Sequence, residues 1–170
     1  NIYEHLSMHD GMAIGFYIVT GKNNLVLNCD AYNNYDPVSD GGKGGNVDGF
    51  GGHLTSPQYT GNVFRGCRAW YNSDDGFDLI NCQAVFTIDN CWSFLNGYTK
   101  EGVKAGDGTG FKSGGYGMSD SPKAPSVIPM HIVQYCLAYM NKNKGFYANH
   151  HLGGIAWYNC LLYTSPSPRD

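Results

Sequence analysis

A cysteine-centred repeat constrains the fold of this chain more than any other feature of its sequence. Each copy has a cysteine, a small residue two positions later, an aromatic residue three later and an asparagine five later. The copies begin at Cys29, Cys67, Cys91 and Cys136, with a divergent one at His5. Every copy continues to a Gly-Phe step, whose glycine is Gly15, Gly49, Gly76, Gly110 or Gly145. Self-similarity of this kind is typical of proteins built from stacked repeats.

The spacing of the copies predicts the architecture. Positions 5 and 29, 67 and 91, and 136 and 160 are each 24 residues apart, whereas 29 and 67 are 38 apart and 91 and 136 are 45 apart. A unit of this length with two expanded copies indicates stacked rungs that carry loop insertions. Leucine-rich repeats need a Leu-x-x-Leu-x-Leu frame, which is absent, and propeller blades are longer. We therefore predict an all-β fold, a right-handed parallel β-helix (solenoid) with rungs of about 24 residues, over the alternative of an antiparallel β-sandwich.

The same register predicts which side chains stack on one another. Three positions before each cysteine lies an apolar residue, namely Val26, Phe64, Ile88, Val133 or Trp157. The phenylalanines of the Gly-Phe steps form a second column, and a ladder of hydrogen-bonded amides is expected at Asn34, Asn72, Asn96 and Asn141. Because the repeat cysteines share one phase, we expect a buried column of mostly free thiols.

Composition narrows the classes of function. The 170 residues suit one domain, and 24 Gly with 13 Tyr favour turns and short strands over helices. The net charge is −3 with no basic run, so we expect no nucleic-acid partner. No apolar run approaches the roughly 20 residues of a membrane span, so no membrane partner is expected either.

The last ten residues depart from the repeat. Cys160 keeps the phase, but Leu162 and Ser165 stand where a small residue and an asparagine belong. Residues 161–170 resemble the translation of a sequencing-library adaptor. We therefore expect residues 1–160 to form a partial β-helix domain truncated at both ends, and residues 161–170 to be a non-native tail from a metagenomic fragment.

Three insertions interrupt the rungs. Residues 35–48 are rich in Gly and Asp, residues 97–109 are rich in Gly, and residues 116–126 contain two prolines. Insertions in a solenoid project as loops, often on its binding face. The first two insertions lie directly before Gly-Phe strands, beside Asp48 and Lys112. The sequence therefore predicts that loops and charges share one face.

Four aspartates and one lysine are placed by the phase of the repeat. Asp48 and Asp75 directly precede a Gly-Phe step, Asp78 and Lys112 directly follow one, and Asp74 lies beside them. Same-phase residues on neighbouring rungs lie about 4.8 Å apart, so each pair should be adjacent. Strand alternation should point Asp78 and Lys112 towards solvent.

This grouping points to a cation and a base. Closely packed carboxylates repel one another, and calcium coordination uses multi-carboxylate oxygen clusters of this type. A lysine near a bound dication has a lowered pKa and can serve as a general base. Two simpler readings remain open, a solvated acidic face and a salt bridge between Lys112 and Asp78.

Three segments resemble the signature blocks of the family 9 polysaccharide lyases, which are right-handed parallel β-helix pectate lyases. They are residues 46–50 (NVDGF), 72–80 (NSDDGFDLI) and 106–115 (GDGTGFKSGG). The resemblance implies that the calcium ligands are Asp48, Asp74, Asp75 and Asp78, and that Lys112 is the catalytic base. His53 and Ser113 depart from the family pattern within or beside these blocks.

The resemblance also implies a reaction and a partner. It implies a secreted enzyme, monomeric when complete, that carries out calcium-assisted β-elimination. Its substrate would be pectate, polygalacturonate or a related uronate polymer of the plant cell wall. Candidate substrate contacts are Arg65, Arg68, Lys104 and Tyr116. The alternatives are a β-helix glycoside hydrolase acting on pectin and a non-catalytic carbohydrate-binding or adhesin module.

Overall fold

A computed structural model describes residues 1–117 and 124–163 of the chain, and there short parallel strands build three sheets. Sheet 1 comprises β1 (Ile2–Glu4), β4 (Leu25–Leu27), β7 (Asn62–Arg65), β10 (Phe86–Asp89), β13 (His131–Gln134) and β16 (Ile155–Tyr158). Sheet 2 comprises β2 (Ser7–His9), β5 (Asp30–Tyr32), β8 (Arg68–Trp70), β11 (Trp92–Phe94), β14 (Leu137–Tyr139) and β17 (Leu161–Tyr163). Sheet 3 comprises β3 (Phe16–Ile18), β6 (Phe50–Gly52), β9 (Phe77–Asp78), β12 (Phe111–Lys112) and β15 (Phe146–Tyr147). The chain visits the three sheets in turn on each rung, which confirms the predicted parallel β-helix.

A single left-handed residue turns the chain from sheet 1 to sheet 2. Asn28, Gly66 and Asn90 occupy this position on successive rungs, with φ of 51°, 65° and 53°. Asparagine and glycine adopt positive φ more readily than other residues. The turn lies directly before the repeat cysteine, so local backbone preference sets the corner of every rung.

The strand register corrects the first copy of the repeat by one residue. Glu4 pairs with Leu27 and Ser7 with Asp30, so Leu6 lies opposite Cys29 where His5 was predicted. The first rung therefore spans 23 residues, one fewer than the 24-residue rungs that begin at Cys67 and Cys136. The divergent sequence of this copy offered too few identities to locate the difference.

The apolar column of sheet 1 forms the centre of the core. Val26, Phe64, Ile88 and Val133 are paired in register and fully buried. Trp157 continues the register but is 42% exposed, which corrects its expected burial. It belongs to β16, the outermost strand of sheet 1 in the described residues, so no further rung covers it there.

The two other predicted columns are confirmed. The rings of Phe50, Phe77, Phe111 and Phe146 stack nearly parallel with centroids 4.9 Å apart. The amide of Asn34 donates to Asn72 at 2.8 Å, and the ladder continues through Asn96 to Asn141 with two distances of 3.0 Å. Because buried amides must be paired, this ladder holds successive rungs in one register.

The cysteines are free thiols, as expected. Cys29, Cys67, Cys91 and Cys136 are buried, and Cys160 is partly exposed. The Cys67 and Cys91 thiols donate to carbonyl oxygens of neighbouring strands, at 3.4 Å to Val26 and 3.5 Å to Phe64. The column therefore packs as small apolar side chains with weak hydrogen bonds.

The insertions and the tail are described in part. The first insertion contains a short 3₁₀ helix (Ser39–Gly42). Within the expected tail, β17 pairs with β14, and residues 164–170 lie outside the described residues, as do residues 118–123 of the third insertion. None of the helical structure in the described ranges has the length and apolar character to cross a membrane.

Candidate active site

The outer face of sheet 3 carries a row of residues that each follow a Gly-Phe step. In register along the row are Tyr17, Gly51, Asp78, Lys112 and Tyr147. Asp78 and Lys112 are direct partners on β9 and β12, as the phase of the repeat predicts. The row thus brings an acid and a base from different rungs side by side.

The aspartates are buried rather than directed into solvent. Their exposed fractions are 2% for Asp48, 7% for Asp74, 0% for Asp75 and 4% for Asp78. Asp78 lies on the outer face as predicted, but its expected exposure was wrong. The side chains of Lys112 and His53 lie against it, with Nζ at 3.2 Å and Nε2 at 3.9 Å from Oδ2.

Backbone amides orient the carboxylates. Asp48 Oδ1 accepts a hydrogen bond from the amide of Asp75 at 3.1 Å, and Asp75 Oδ1 accepts one from the amide of Thr109 at 2.7 Å. Asp78 Oδ1 accepts from the amide of Ile80 at 2.7 Å. One oxygen of each group is thus fixed by the backbone, and the Oδ2 atoms of Asp75 and Asp78 face Lys112.

Asp74 joins the two insertions to the cluster. Its Oδ2 accepts from the amide of Asn46 at 2.7 Å, and its Oδ1 accepts from the amide of Asp107 at 2.5 Å. The ammonium of Lys142 supports the second insertion by donating to the carbonyls of Ala105, at 2.9 Å, and Gly106. The insertions are therefore held in place by the same residues that form the cluster.

Burial and mutual repulsion raise the pKa values of Asp48, Asp74 and Asp75. Burial is the main cause for Asp48, whose pKa rises well above its usual value with further contributions from Asp78, Asp75 and Asp74. Burial also raises the pKa of Asp75 to about 7, although Lys112 opposes the rise. For Asp74, burial outweighs its two backbone hydrogen bonds, and the pKa is raised. The cluster thus carries an electrostatic cost that a bound cation would relieve.

Lys112 serves as the counter-charge of the cluster. Its Nζ lies 3.0 Å from Asp75 Oδ2 and 3.2 Å from Asp78 Oδ2. Desolvation alone would lower the pKa of the ammonium, but the carboxylates of Asp78 and Asp75 outweigh it and the pKa is raised. The salt bridge considered from the sequence is therefore present, and Lys112 needs a competing positive charge nearby to become a neutral base.

The donor atoms fit a divalent cation. Oxygens of Asp48, Asp74 and Asp75 lie within 4.8 Å of one another, and a second group within the same limit joins Asp48 and Asp78 to His53. His53 Nε2 is buried without a hydrogen-bond partner, and Asp75 Oδ2 has the ammonium of Lys112 against it at 3.0 Å. Several buried carboxylate oxygens close together are the chemistry that calcium prefers.

Sequence reasoning missed two residues at this site, Tyr17 within the row and His53 beside it. Tyr17 is 51% exposed, and its hydroxyl shares a 3.0 Å hydrogen bond with His53 Nδ1. Burial, followed by the charges of Asp48 and Asp78, raises the pKa of Tyr17. Tyr17 follows a Gly-Phe step as Asp78 and Lys112 do, so the phase of the repeat was a sufficient signal. His53 was noted only as a departure from the family pattern.

The four candidate substrate contacts are placed differently. Lys104 lines a cleft of about 440 Å³ between the first two insertions, together with Lys43, Asp74 and Lys112. Arg65 on sheet 1 pairs with Asp89, and Arg68 on sheet 2 pairs with Asp30, so neither lies on sheet 3.

Tyr116 corrects a further expectation. A substrate contact would have to be exposed, but Tyr116 is 2% exposed and its hydroxyl donates to the carbonyl of Cys82 at 2.8 Å. The ring is therefore part of the buried core. Of the four candidates, only Lys104 shares a cavity with the cluster.

The chain matches a family model and several known proteins. Residues 1–166 match the family model described as the Pel9A-like, right handed beta helix region. The chain is 39% identical over 166 residues to Pectate lyase L of Dickeya dadantii and 32% identical over 187 residues to Pectate lyase PEL9 of Emericella nidulans. These matches cover 96% and 95% of the chain but 36% and 43% of the relatives. The chain thus spans less than half the length of either protein.

Two solved structures are also similar. One is named rhamnogalacturonan lyase and is 66% identical, with a TM-score of 0.88 over 93% of this chain and 39% of that one. The other is the crystal structure of pectate lyase Pel9A, which is 38% identical with a TM-score of 0.74 over 92% of this chain and 36% of that one. These likenesses confirm the predicted right-handed winding.

Proposed function

The chain belongs to the family of Pel9A-like right-handed β-helix proteins, and from that premise we propose that it is part of a polysaccharide lyase acting by β-elimination on a uronate polymer. The observation that carries the proposal is the position of Lys112, whose ammonium lies against Asp75 and Asp78 at the edge of a buried carboxylate cluster. A lysine held there is fixed in position to act as a base once the cluster is neutralised.

The cofactor that we propose is calcium, held by Asp48, Asp74, Asp75 and Asp78. The oxygen-only donor set of the four aspartates and the raised pKa values of Asp48, Asp74 and Asp75 support it. When bound, calcium would neutralise these carboxylates and polarise the carboxylate of the substrate uronate, which acidifies the neighbouring C5 proton.

Lys112 performs the proton transfer. Once Asp75 and Asp78 are neutralised, the charges that raise the pKa of Lys112 are gone, and desolvation favours the neutral amine. The amine takes the C5 proton, the electrons of the C5–H bond form a C4–C5 double bond, and the C4–O bond breaks. The glycosidic oxygen leaves with its electron pair and takes a proton from water, which gives an unsaturated uronide and a shortened chain.

The insertions form the walls of the binding cleft. Lys43 and Lys104 line it beside Asp74 and Lys112, and their positive charges suit the repeated carboxylates of a uronate polymer. Because a cell-wall polymer is too large to enter a cell, we also propose that the natural protein is secreted.

Two polymers are candidates for this chemistry. Pectate lyase relatives at 32–39% identity support pectate or polygalacturonate. The structure named rhamnogalacturonan lyase is 66% identical, and this closer likeness favours the rhamnogalacturonan backbone. Both contain uronate residues substituted at O4, so the proposed roles of Lys112 and the aspartates are the same for each.

The test is the ultraviolet absorbance of unsaturated product from each polymer, with calcium and with a chelator. We expect calcium-dependent product that is lost in Lys112→Ala and in Lys112→Arg, because arginine keeps the charge but cannot give up its proton. Reducing sugar without unsaturated product would instead support the glycoside hydrolase. Binding without any product, by a folded protein, would support the non-catalytic module.

A further inference from the structure

The row of residues on the outer face of sheet 3 has surroundings of different charge at its two ends. Lys43 from the second rung, with Lys104, Lys112 and Lys142 from the fourth and fifth rungs, lines the cleft between the first two insertions. On the side of the first rung, a cavity of about 370 Å³ is lined by Met12, Ala13, Ile14, Tyr17, Asp36 and residues 45–47. Among the residues that the structure describes, no lysine or arginine lines this second cavity. The cleft beside Lys112 is therefore basic, and the cavity beside Tyr17 is apolar with Asp36 at its rim.

Tyr17 is fixed as an exposed surface at the apolar end. Its hydroxyl is hydrogen-bonded to His53 Nδ1 at 3.0 Å, and the two rings meet edge to face with centroids 5.0 Å apart. Beneath it lies Gly51, where a Cβ atom would come within 2.8 Å of the Tyr17 ring and 3.3 Å of Ile14 Cδ1. The missing side chain at Gly51 lets the ring lie across the row towards Asp78, with about half of its surface exposed.

The apolar surface at Tyr17 favours an uncharged sugar over a uronate. The C–H face of a hexose ring is apolar and packs on an aromatic ring, and the methyl group of a deoxyhexose adds to that contact. A uronate in the same position would bring its carboxylate beside Met12, Ile14 and Asp36, with no lysine or arginine among the described residues lining the cavity to pair with it. An isolated charge in a partly buried, acidic setting is unfavourable.

We propose that Tyr17, with Met12 and Ile14 beside it, forms a subsite for a neutral sugar next to the uronate that reacts at Lys112. This inference rests on the proposed function and deepens it. A polymer in which neutral and acidic sugars alternate would place each kind of residue at the matching end of the row. Tyr17 is thus a specificity-determining residue that discriminates against polygalacturonate, in which every residue is acidic.

The test separates binding from turnover. In the Lys112→Ala background, with calcium present, titration calorimetry measures the affinity for rhamnogalacturonan and for polygalacturonate oligosaccharides of equal length. We expect Tyr17→Ala to weaken rhamnogalacturonan binding by about tenfold, Tyr17→Phe to retain most of it, and Tyr17→Lys to shift the preference towards polygalacturonate. The matched control is Tyr135→Ala, which truncates an equally exposed tyrosine in the turn between sheets 1 and 2.

The outcomes distinguish this inference from the proposed function. If Tyr17→Ala leaves both affinities unchanged, or lowers both equally, the neutral-sugar subsite is wrong while lyase activity can still stand. If the parent protein neither binds nor cleaves either polymer, the proposed function fails and the subsite fails with it.

Discussion

Lys112 and Asp78 are direct register partners on adjacent strands, and the ammonium of one lies 3.2 Å from the carboxylate of the other. They are 34 residues apart in the chain, yet both follow a Gly-Phe step. The two side chains form a buried ion pair, extended by Asp75 at 3.0 Å. The same lysine is the proposed base, so structural and catalytic roles compete for one ammonium group.

Replacing Lys112 should therefore destabilise the metal-free protein. Lys112→Ala leaves Asp75 and Asp78 buried without a counter-charge, and breaking a buried pair from one side costs about 3 kcal/mol or more. Denaturant unfolding with a chelator present measures the loss, which calcium should largely restore. Lys112→Arg, which keeps the charge, should lose less. Equal stability of Lys112→Ala and the parent chain without metal would contradict the counter-charge role.

Calcium should stabilise the protein more at pH 8 than at pH 5. The pKa values of Asp48, Asp74 and Asp75 are raised above the usual 3.8, to about 7 for Asp75, so the folded state holds protons that the unfolded state has released. Their contribution to stability is present at low pH and is lost as pH rises from about 4 through about 7. Lys112, with its raised pKa, stays charged throughout this range.

Thermal unfolding at both pH values, with calcium and with chelator, tests this prediction. A cation binds the deprotonated cluster, so the increase in Tm on adding calcium should be larger at pH 8. An increase of the same size at both pH values would show that these carboxylates do not hold the ion.

Asp74→Ala should loosen both insertions at once. Asp74 accepts backbone hydrogen bonds from Asn46 through Oδ2 and from Asp107 through Oδ1, and alanine removes both acceptors. The loss of each bond costs about 1–3 kcal/mol, so amide exchange near residues 46 and 107 should accelerate about tenfold.

Hydrogen exchange with mass spectrometry measures that change. Asp30→Ala is the matched control, because Asp30 pairs with Arg68 on sheet 2. Faster exchange in only one of the two insertions would show that Asp74 does not couple them.

Gly76→Ala should destabilise the stacked rungs. A Cβ atom at Gly76 would lie 2.7 Å from the carbonyl oxygen of Gly110 on the next rung and 2.0 Å from Ser93 Oγ. Overpacking of this kind costs about 1–3 kcal/mol. Gly154→Ala, where the nearest atom would be Met130 Sδ at 3.5 Å, should be tolerated. Denaturant midpoints of the two variants compare them directly, and equal midpoints would contradict the close contact between rungs.

The Gly-Phe step explains how much of the site could be predicted. The step fixes strand phase in sheet 3, so the adjacency of Asp78 and Lys112 follows from sequence counting alone, as does the column of phenylalanines. Counting failed at the first rung, where Leu6 rather than His5 aligns with Cys29, because that copy lacks the cysteine and aromatic residues that mark the others. Tyr17 lies at the same phase as Lys112 and could have been found by the same rule.

The sequence by itself determined the architecture, the columns and the order of charged residues along sheet 3. A repeated backbone conformation forces residues of equal phase into contact, so a period is enough to predict them. Only the tertiary structure decided the burial of the aspartates, the raised pKa of Lys112 and the packing of Tyr116 in the core. These properties depend on the insertions and on residues such as His53, whose positions the repeat does not predict. Burial and charge are sums over all neighbours, so they emerge only when the non-repeating segments are in place.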